Sequence, residues 1–462
     1  MTPPENLTVR NLSATSITIT RIATFPAPKI SSPNPITIRN FTNLGNLAHH
    51  LTAALRTAGI APAAHPTSLN LAESAKAFEG HDVRVKVPPF HTVKTEIVVK
   101  DGDLHLHFEV ENGDEPCGKF RAEMRSGSSL VHTLGTLTPH RFSGVFHQSH
   151  SHLALLSDAA LNEWQTRLGD ETLLSAISIP GTHNSPTCYR ALPSVRCQAV
   201  GIRTQLDNGI RFFDIRCQVE NNGELTLVHG AFPISLGYQV NKLQKLLDET
   251  YGFLDDHPHE AIIVSLKREG RGSATDETFA KHLREKYIEP QKDRWWLDDT
   301  HVPKLGDVRG KCILFRRFKS GDDWKVGINA EDWLYNSADT LTPGGNCRVQ
   351  DFCEVIERPT IEKKIEYVKE HLERAATYVE GNPLFLNFLS GSNFWKVGCW
   401  PERVAEKVNI EMRRHFAMDH IVGRNSGDGA TGVVVCDFVG ERGEWDLVRL
   451  IVAMNAWVER ST

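Results

Sequence analysis

Two histidines, His183 and His229, each stand where a short apolar run gives way to polar residues. Histidine titrates near neutral pH, so such a pair can divide labour as base and acid. Other apolar runs end in the same way, at Asp214 and Arg216, Lys267 and Glu269, Arg316-Arg317, Asp351, Asn387 with Ser390, and Asp437. Arg216, Lys267 and one arginine of the 316–317 pair would make a dense positive lining, suited to a phosphate or its transition state. Gathered in one place, these groups would be costly for stability alone unless a ligand completed them. No cluster has the His/Cys spacing of a zinc site, and no Gly-rich loop opens a helix as a nucleotide cradle would. Pro180-Gly181-Thr182 reads as a turn before His183, and no Gly-x-Ser-x-Gly elbow stands at a strand–helix junction. The residue types therefore point to phosphodiester cleavage by two-histidine acid–base catalysis. A substrate with its own hydroxyl nucleophile suits that set, because proximity replaces a positioned water.

Positioning these groups falls to the apolar runs behind them. There are eight: Leu174–Ile179, Arg211–Ile215, Leu225–Val228, Ala261–Leu266, Cys312–Phe315, Cys347–Val349, Leu384–Phe388 and Gly432–Cys436. Helical spacing of apolar residues marks Leu236–Leu254, Asp276–Ile288, Ile361–Val379, Pro401–Phe416 and Trp445–Val458. Alternating strands and helices with near-continuous apolar strands predict an α/β fold with a mainly parallel sheet. Eight strands in this span predict a (β/α)8 TIM-like barrel, regular or irregular in form, whose chemistry belongs at the C-terminal strand ends.

The first part of the chain has another rhythm. Leu7–Arg10, Ser16–Thr20, Asp82–Val87 and Leu104–Val110 alternate apolar and polar residues, as strands of a half-buried sheet do. Pro26, Pro28, Pro33 and Pro35 mark a loop, and Leu47–Ala58 reads as a helix inserted in a small β-sandwich. All nine tryptophans lie at or beyond Trp164, whereas 12 of 21 histidines lie at or before His152. The shift places a boundary near residues 150–155, at the polar stretch His147–His152, read as a linker rather than a metal site. Domains are thus expected over 1–150 and 155–462. The histidines of Leu104–Val110 fall on the polar, solvent-facing side of their strand.

Across 462 residues, 52 Lys+Arg against 57 Asp+Glu leave a formal charge of −5, which argues against a nucleic-acid binder. Nine cysteines, odd in number and without close pairs, fit reduced thiols. There is no signal-peptide pattern and no transmembrane run, so a cytoplasmic or peripheral-membrane protein is expected, and the sequons at Asn6, Asn11 and Asn40 read as chance matches. Trp295-Trp296 is either a packed loop or an interfacial insertion.

The strand tips resemble a known family. Ser178–Ser185 (SIPGTHNS), Arg211–Arg216 (RFFDIR), Leu227–Gly230 (LVHG) and Val264–Glu269 (VSLKRE) look like the X-domain motifs of phosphatidylinositol-specific phospholipase C, of the bacterial and fungal type. The likeness continues through Gly310–Phe318, Val349–Asp351 and Asp437-Phe438, and does not cover the first 150 residues. It implies that His183 is the base for the inositol 2-hydroxyl, that Asp437 orients it, and that His229 is the acid for the diacylglycerol oxygen. It implies phosphate contact by Arg216 beside Asp214, and inositol-ring contacts by Lys267, Glu269, Arg317 and Asp351. Trp333 and Trp395 correspond to tryptophans near the mouth. Arg216 and Lys267 stand where calcium-dependent relatives carry acidic ligands, which implies a metal-independent enzyme with no cofactor, acting on an inositol phospholipid through peripheral membrane contact. Two positions depart from the pattern: Asn184 replaces an aspartate and would hold His229 through its amide, and Cys353 replaces a ring-packing aromatic. Another lipid or glycerol phosphodiester therefore stays open as substrate, as does a non-catalytic phosphoinositide-binding protein.

Overall fold

The computed structural model describes residues 5–25, 79–99, 103–112, 115–124, 127–134, 140–192, 194–235, 241–321, 323–377, 383–422 and 429–461. The four loop prolines and the expected helix Leu47–Ala58 lie outside these residues. Strands β1 (Asn6–Leu12), β2 (Ile17–Phe25), β3 (Glu79–Val87), β4 (Thr92–Val98), β5 (Asp103–Asn112), β6 (Glu115–Met124), β7 (Gly127–Leu134), β8 (Phe142–His147) and β9 (His152–Ser157) form the first sheet. Their order is β3-β2-β5-β6-β7-β8-β9-β1-β4, antiparallel except for the β1–β9 pair. The alternation expected of β5 is present: Leu104, Leu106, Phe108 and Val110 join an apolar core with Phe120 and Ile19. His105 and His107 on the other side are half-buried rather than freely solvated, and the His105 ring lies 4.1 Å from that of Phe25. Asn11 is buried and donates its amide to the carbonyls of Thr15 and Val87, so this sequon residue has no room for a glycan.

The stretch His147–His152 is not a linker. It ends β8, makes a short 3-10 turn and starts β9, whose Leu153, Ala154, Leu155 and Leu156 are all buried. The first sheet therefore runs to Ser157. A local run of polar residues cannot distinguish a linker from a tight turn between two paired strands.

The remaining strands are β10 (Ile179–Thr182), β11 (Phe212–Val219), β12 (Leu225–His229), β13 (Phe232–Pro233), β14 (Ile262–Arg268), β15 (Trp295–Trp296), β16 (Cys312–Arg317), β17 (Ile328–Asn329), β18 (Thr340–Leu341), β19 (Cys347–Gln350), β20 (Leu384–Phe388) and β21 (Val433–Cys436). Seven of them run parallel in the order β16-β14-β11-β10-β21-β20-β19. Two expectations need correction here. Leu225–Val228 is not a strand of this parallel set; β12 pairs antiparallel with β11 as a hairpin. Leu174–Ala176 is a 3-10 turn, and the strand begins at Ile179, so Pro180-Gly181-Thr182 lies within β10 rather than in a turn. At the two margins β17 pairs with β16 and β18 with β19, and among the described residues no ladder joins β17 to β18. Side chains cross that gap. Arg317 lies over the Trp333 ring at 4.0 Å from its centroid, and Trp333 Nε1 donates to Asp351 Oδ2 at 3.1 Å.

Helices cover the parallel sheet. Leu243–Asp256 buries Leu243, Leu246, Leu247, Tyr251 and Leu254 at three- and four-residue spacing. Asp276–Leu283 is capped by Thr275, whose hydroxyl accepts the Thr278 N–H. Arg358–Thr377 and Pro401–Met418 follow, the latter with proline at its first turn. The last carbonyls of Pro401–Met418, which no helical N–H can reach, are taken by the first sheet: Phe416 O by Arg10 and Ala417 O by His152 Nε2 at 3.1 Å. Trp295-Trp296 is packed rather than projecting, with Trp295 Nε1 donating to the Tyr251 hydroxyl at 2.8 Å.

At the base of the parallel sheet, Arg211 and Glu260 are both fully buried and joined at 2.7 Å. Arg211 also donates to the carbonyls of Leu161, Asn162, Leu206 and Ile210, while Glu260 accepts the Gln165 N–H. Removing one member leaves the other as a buried uncompensated charge. Arg211→Met should therefore lower unfolding free energy by about 3–5 kcal/mol in chemical denaturation. A loss near zero would mean that the pair is not what ties these segments together.

Candidate active site

The C-terminal ends of the parallel strands carry their polar residues to one mouth. His183 follows β10 on a turn where Asn184 takes φ +42°, in the left-handed region that asparagine tolerates better than most residues. Gly181 lets β10 approach β11 closely, since a Cβ there would meet Phe212 Cβ at 2.9 Å. His183 Nδ1 lies 2.9 Å from Asp437 Oδ1, just beyond β21, and Asn184 Nδ2 lies 2.9 Å from Nε2 of the same ring. With Nδ1–H given to the carboxylate, Nε2 is the basic nitrogen. His229, at the end of β12, donates its Nδ1–H to the Val195 carbonyl at 2.8 Å, so its Nε2 is the basic nitrogen too. The two imidazole centroids are 6.0 Å apart.

Asp214 is the ionic hub. Fully buried on β11, it accepts from Arg317 at 2.8 Å on Oδ1 and from Arg216 and the Asn184 N–H, both at 3.1 Å, on Oδ2. Burial alone would raise its pKa, but Arg216 and Arg317 outweigh it and hold the carboxyl far below the ordinary carboxylate range. Glu269 repeats the pattern one strand away. Burial pushes it up, yet Arg216, Lys267 and the Gly230 N–H together bring it down to about 2. His229 goes the other way: burial, then Arg216 and His183, lower it to about 4, so the ring is neutral at pH 7. Burial raises Asp437 against the pull of His183, Lys364 and Arg216. The mouth thus holds two ionised carboxylates, three cations and two imidazoles. Such a set can bind an anion and move protons beside it.

Residues 171–318 match the family described as phosphatidylinositol-specific phospholipase C, X domain. A 1-phosphatidylinositol phosphodiesterase of Staphylococcus aureus strain Newman is 28% identical over 329 residues, covering 68% of this chain and 99% of that protein. One from Listeria monocytogenes is 33% identical over 163 residues, covering 33% of this chain and 47% of the relative. Among solved structures, the S. aureus phosphatidylinositol-specific phospholipase C superposes with a TM-score of 0.55 at 25% identity, over 64% of this chain and 97% of the other. The L. monocytogenes enzyme, at 22% identity and a TM-score of 0.51, shares the fold. The parallel-sheet segment thus contains a match to the phosphatidylinositol-specific phospholipase C X domain and is similar over most of its length to the bacterial enzymes.

In this segment the residues expected at the site come together, with some differences. His183, Asn184, Asp214, Arg216, His229, Lys267, Glu269, Arg317, Asp351 and Asp437 form one connected group of hydrogen bonds and charge contacts. Trp333 closes one wall through Arg317 and Asp351. Trp395 stands apart from the group, 87% exposed on the loop after β20. Arg316 turns away to the Phe318 and Val326 carbonyls and to Glu331, so Arg317 alone of that pair faces the pocket. Asn387 is buried beneath the mouth, donating to the Val368 carbonyl. The expectation that Asn184 holds His229 is overturned: its amide meets His183, and its Oδ1 is buried without a partner. For calcium, the Asp214 and Glu269 oxygens are already committed to arginine, lysine and backbone N–H donors.

Three further groups were missed because none lies at a strand tip. Gln198 is buried and donates to the His183 and Cys436 carbonyls at 2.7 and 2.9 Å, tying β10 to β21. Cys197 sits beside it, with Sγ 3.8 Å from His229 Nδ1, and its carbonyl accepts the Phe438 N–H. Lys364 comes from the helix Arg358–Thr377 and is fully buried, with Nζ 3.3 Å from Gln350 Oε1. Burial lowers it to about 8 against the pull of Asp351, Cys353 and Asp437. The one available sequence signal was its spacing: Lys364 falls on the same helix face as the apolar Ile361 and Val368.

Because Arg216 helps to hold His229 neutral, removing that charge should favour the imidazolium. In Arg216→Gln the His229 ring should titrate above about 4 in proton NMR. An unchanged midpoint would assign the depression to burial alone.

Proposed function

We propose that the protein is a phosphatidylinositol-type phospholipase C, cleaving an inositol phospholipid to diacylglycerol and a cyclic inositol phosphate. The observation that carries this reading is the pair of imidazoles at one cationic mouth, each with its Nδ1 engaged behind it. His183 Nε2 takes the proton of the inositol 2-hydroxyl as that oxygen bonds to phosphorus. The Asn184 amide that meets Nε2 in the free enzyme gives way to this hydroxyl. Asp437 holds the ring and balances the imidazolium that forms. The bond from phosphorus to the glycerol oxygen breaks, and His229 supplies the proton to the departing alkoxide. For that His229 must first be charged, and the phosphodiester anion lying beside Arg216 favours its protonation. Arg216 does the electrostatic work that calcium performs in other enzymes of this chemistry, and no cofactor is needed. Lys267, Glu269, Arg317 and Asp351 line the wall offered to the inositol ring.

In this reading the unit beyond Ser157 is an irregular (β/α)8 barrel, and the residues up to Ser157 are a separate sandwich-like domain. Among the described residues no helix is long and apolar enough to cross a membrane. The exposed Leu334, Tyr335, Phe394, Trp395 and Val397 lie on loops after β17 and β20, at the strand ends that carry the site, and suit peripheral contact with a bilayer. A second reading, cleavage of another lipid or glycerol diester, is favoured by Cys353, which offers a small thiol where a ring-packing side chain would serve inositol.

Purified protein should release a water-soluble phosphate from phosphatidylinositol vesicles at the same rate with and without a calcium chelator. Phosphorus NMR should reveal a five-membered cyclic phosphate; an acyclic first product excludes attack by the ring hydroxyl. His183→Ala and His229→Ala should each lose about 10²–10⁴-fold in turnover, and full activity in either variant would remove that histidine from the mechanism. Trp395→Ala should weaken activity on vesicles while sparing a soluble short-chain substrate. Equal losses on both would place Trp395 in the chemistry instead of at the bilayer.

A further inference from the structure

Cys197 has no part in the mechanism, yet it is buried at the centre of the site. One donor atom from each of His183, Cys197 and Asp437 lies within 4.8 Å of the others, and among the described residues no other set of three or more His, Cys, Asp or Glu donors converges in this way. A second observation points the same way. Asp437 is almost fully buried, its Oδ1 faces His183, and its Oδ2 is buried without any hydrogen-bond partner. A buried carboxylate oxygen left unpaired is costly, and a cation is one means of completing it.

We propose that His183, Cys197 and Asp437 form an inhibitory binding site for zinc or a similarly thiophilic divalent cation. Imidazole, thiolate and carboxylate are the ligand types zinc selects, and three protein donors with a water in the fourth position make an ordinary tetrahedral set. Donors around a zinc ion stand roughly 3.3–3.8 Å apart, so side-chain rotation must close the present spread by about 1 Å. Calcium is a poor occupant, since it prefers six to eight oxygens. On binding, the Cys197 thiol proton leaves to water and a sulfur–zinc bond forms. If the Nδ1 of His183 becomes the ligand, its proton shifts to Nε2. The bound ion takes up the nitrogen or the carboxylate that the base needs. Inhibition, though not binding, rests on the role proposed above for His183.

The test uses the full chain in a non-chelating buffer. Cadmium should produce an ultraviolet thiolate-to-metal charge-transfer band at one equivalent, and zinc should compete it away. Cys197→Ser should abolish the band, although Cys188 and Cys353 are still present. Loss of a direct ligand should weaken zinc inhibition by more than the roughly 10–100-fold typical of an outer-shell partner, each protein being compared with its own metal-free rate. Asp437→Asn, read by cadmium binding alone, supplies an independent loss should the serine variant fold poorly. Absence of a band in the wild-type protein, its persistence in Cys197→Ser, or equal zinc inhibition of both proteins would overturn the site. Should the protein lack phosphodiesterase activity altogether, the proposed function fails while the cadmium band still decides the metal site.

Discussion

Asp214 has no solvent to fall back on. It lies at 0% exposure with three donors on its two oxygens. Two of those donors are guanidinium groups from β11 and β16, the strands on either side of β14, and each would repel the other without the carboxylate between them. Arg216 reaches onward to Glu269, which holds Lys267 and the Gly230 N–H beside His229. Arg317 reaches onward through Trp333 to Asp351 and so spans the margin where strand pairing stops. The third donor is the backbone of Asn184, next to His183. One carboxylate thus fixes both cations, one imidazole-bearing turn and the closure of the sheet. Protonating it would free all of these at once, and the arginines prevent that at any ordinary pH.

The strands were legible because a parallel strand buried on both faces must be apolar throughout, and six such runs were read at close to their true places, while Leu174–Ile179 met its strand only at Ile179. The eighth, Leu225–Val228, has the same composition for a different reason. It is buried as the return arm of a hairpin, and a run of this length carries no mark of which partner covers it. Arg316 and Arg317 could not be separated by type, because adjacent residues on a strand face opposite sides and the phase depends on packing. Their strand pairing decides the matter: Arg317 stands opposite Lys267, and Arg316 opposite Leu266. Lys364, Cys197 and Gln198 escaped because they reach the site from a helix and a loop. The strand-tip rule is silent about both.

A formal charge of −5 gives no hint of a cationic pocket. The cations at the mouth are concentrated and partly desolvated, where each counts for more than in the sum over the chain. This concentration also explains the neutral His229. A site lined with cations is, while empty, unfavourable to a further positive charge on His229, and an anion placed beside Arg216 would relieve that.

The helix Pro401–Met418 links the first sheet to the site. Near its middle, Asn409 donates to the backbone carbonyl of Asp437 at 2.9 Å, and at its C-terminus Arg10 and His152 occupy the last carbonyls. A parallel-sheet segment excised at Asp158 for easier production would leave those carbonyls bare and the helix free to fray towards Asn409. The carboxyl group that meets His183 would then rest on a loosened support, and a minimal fragment would misrepresent the site of the intact chain.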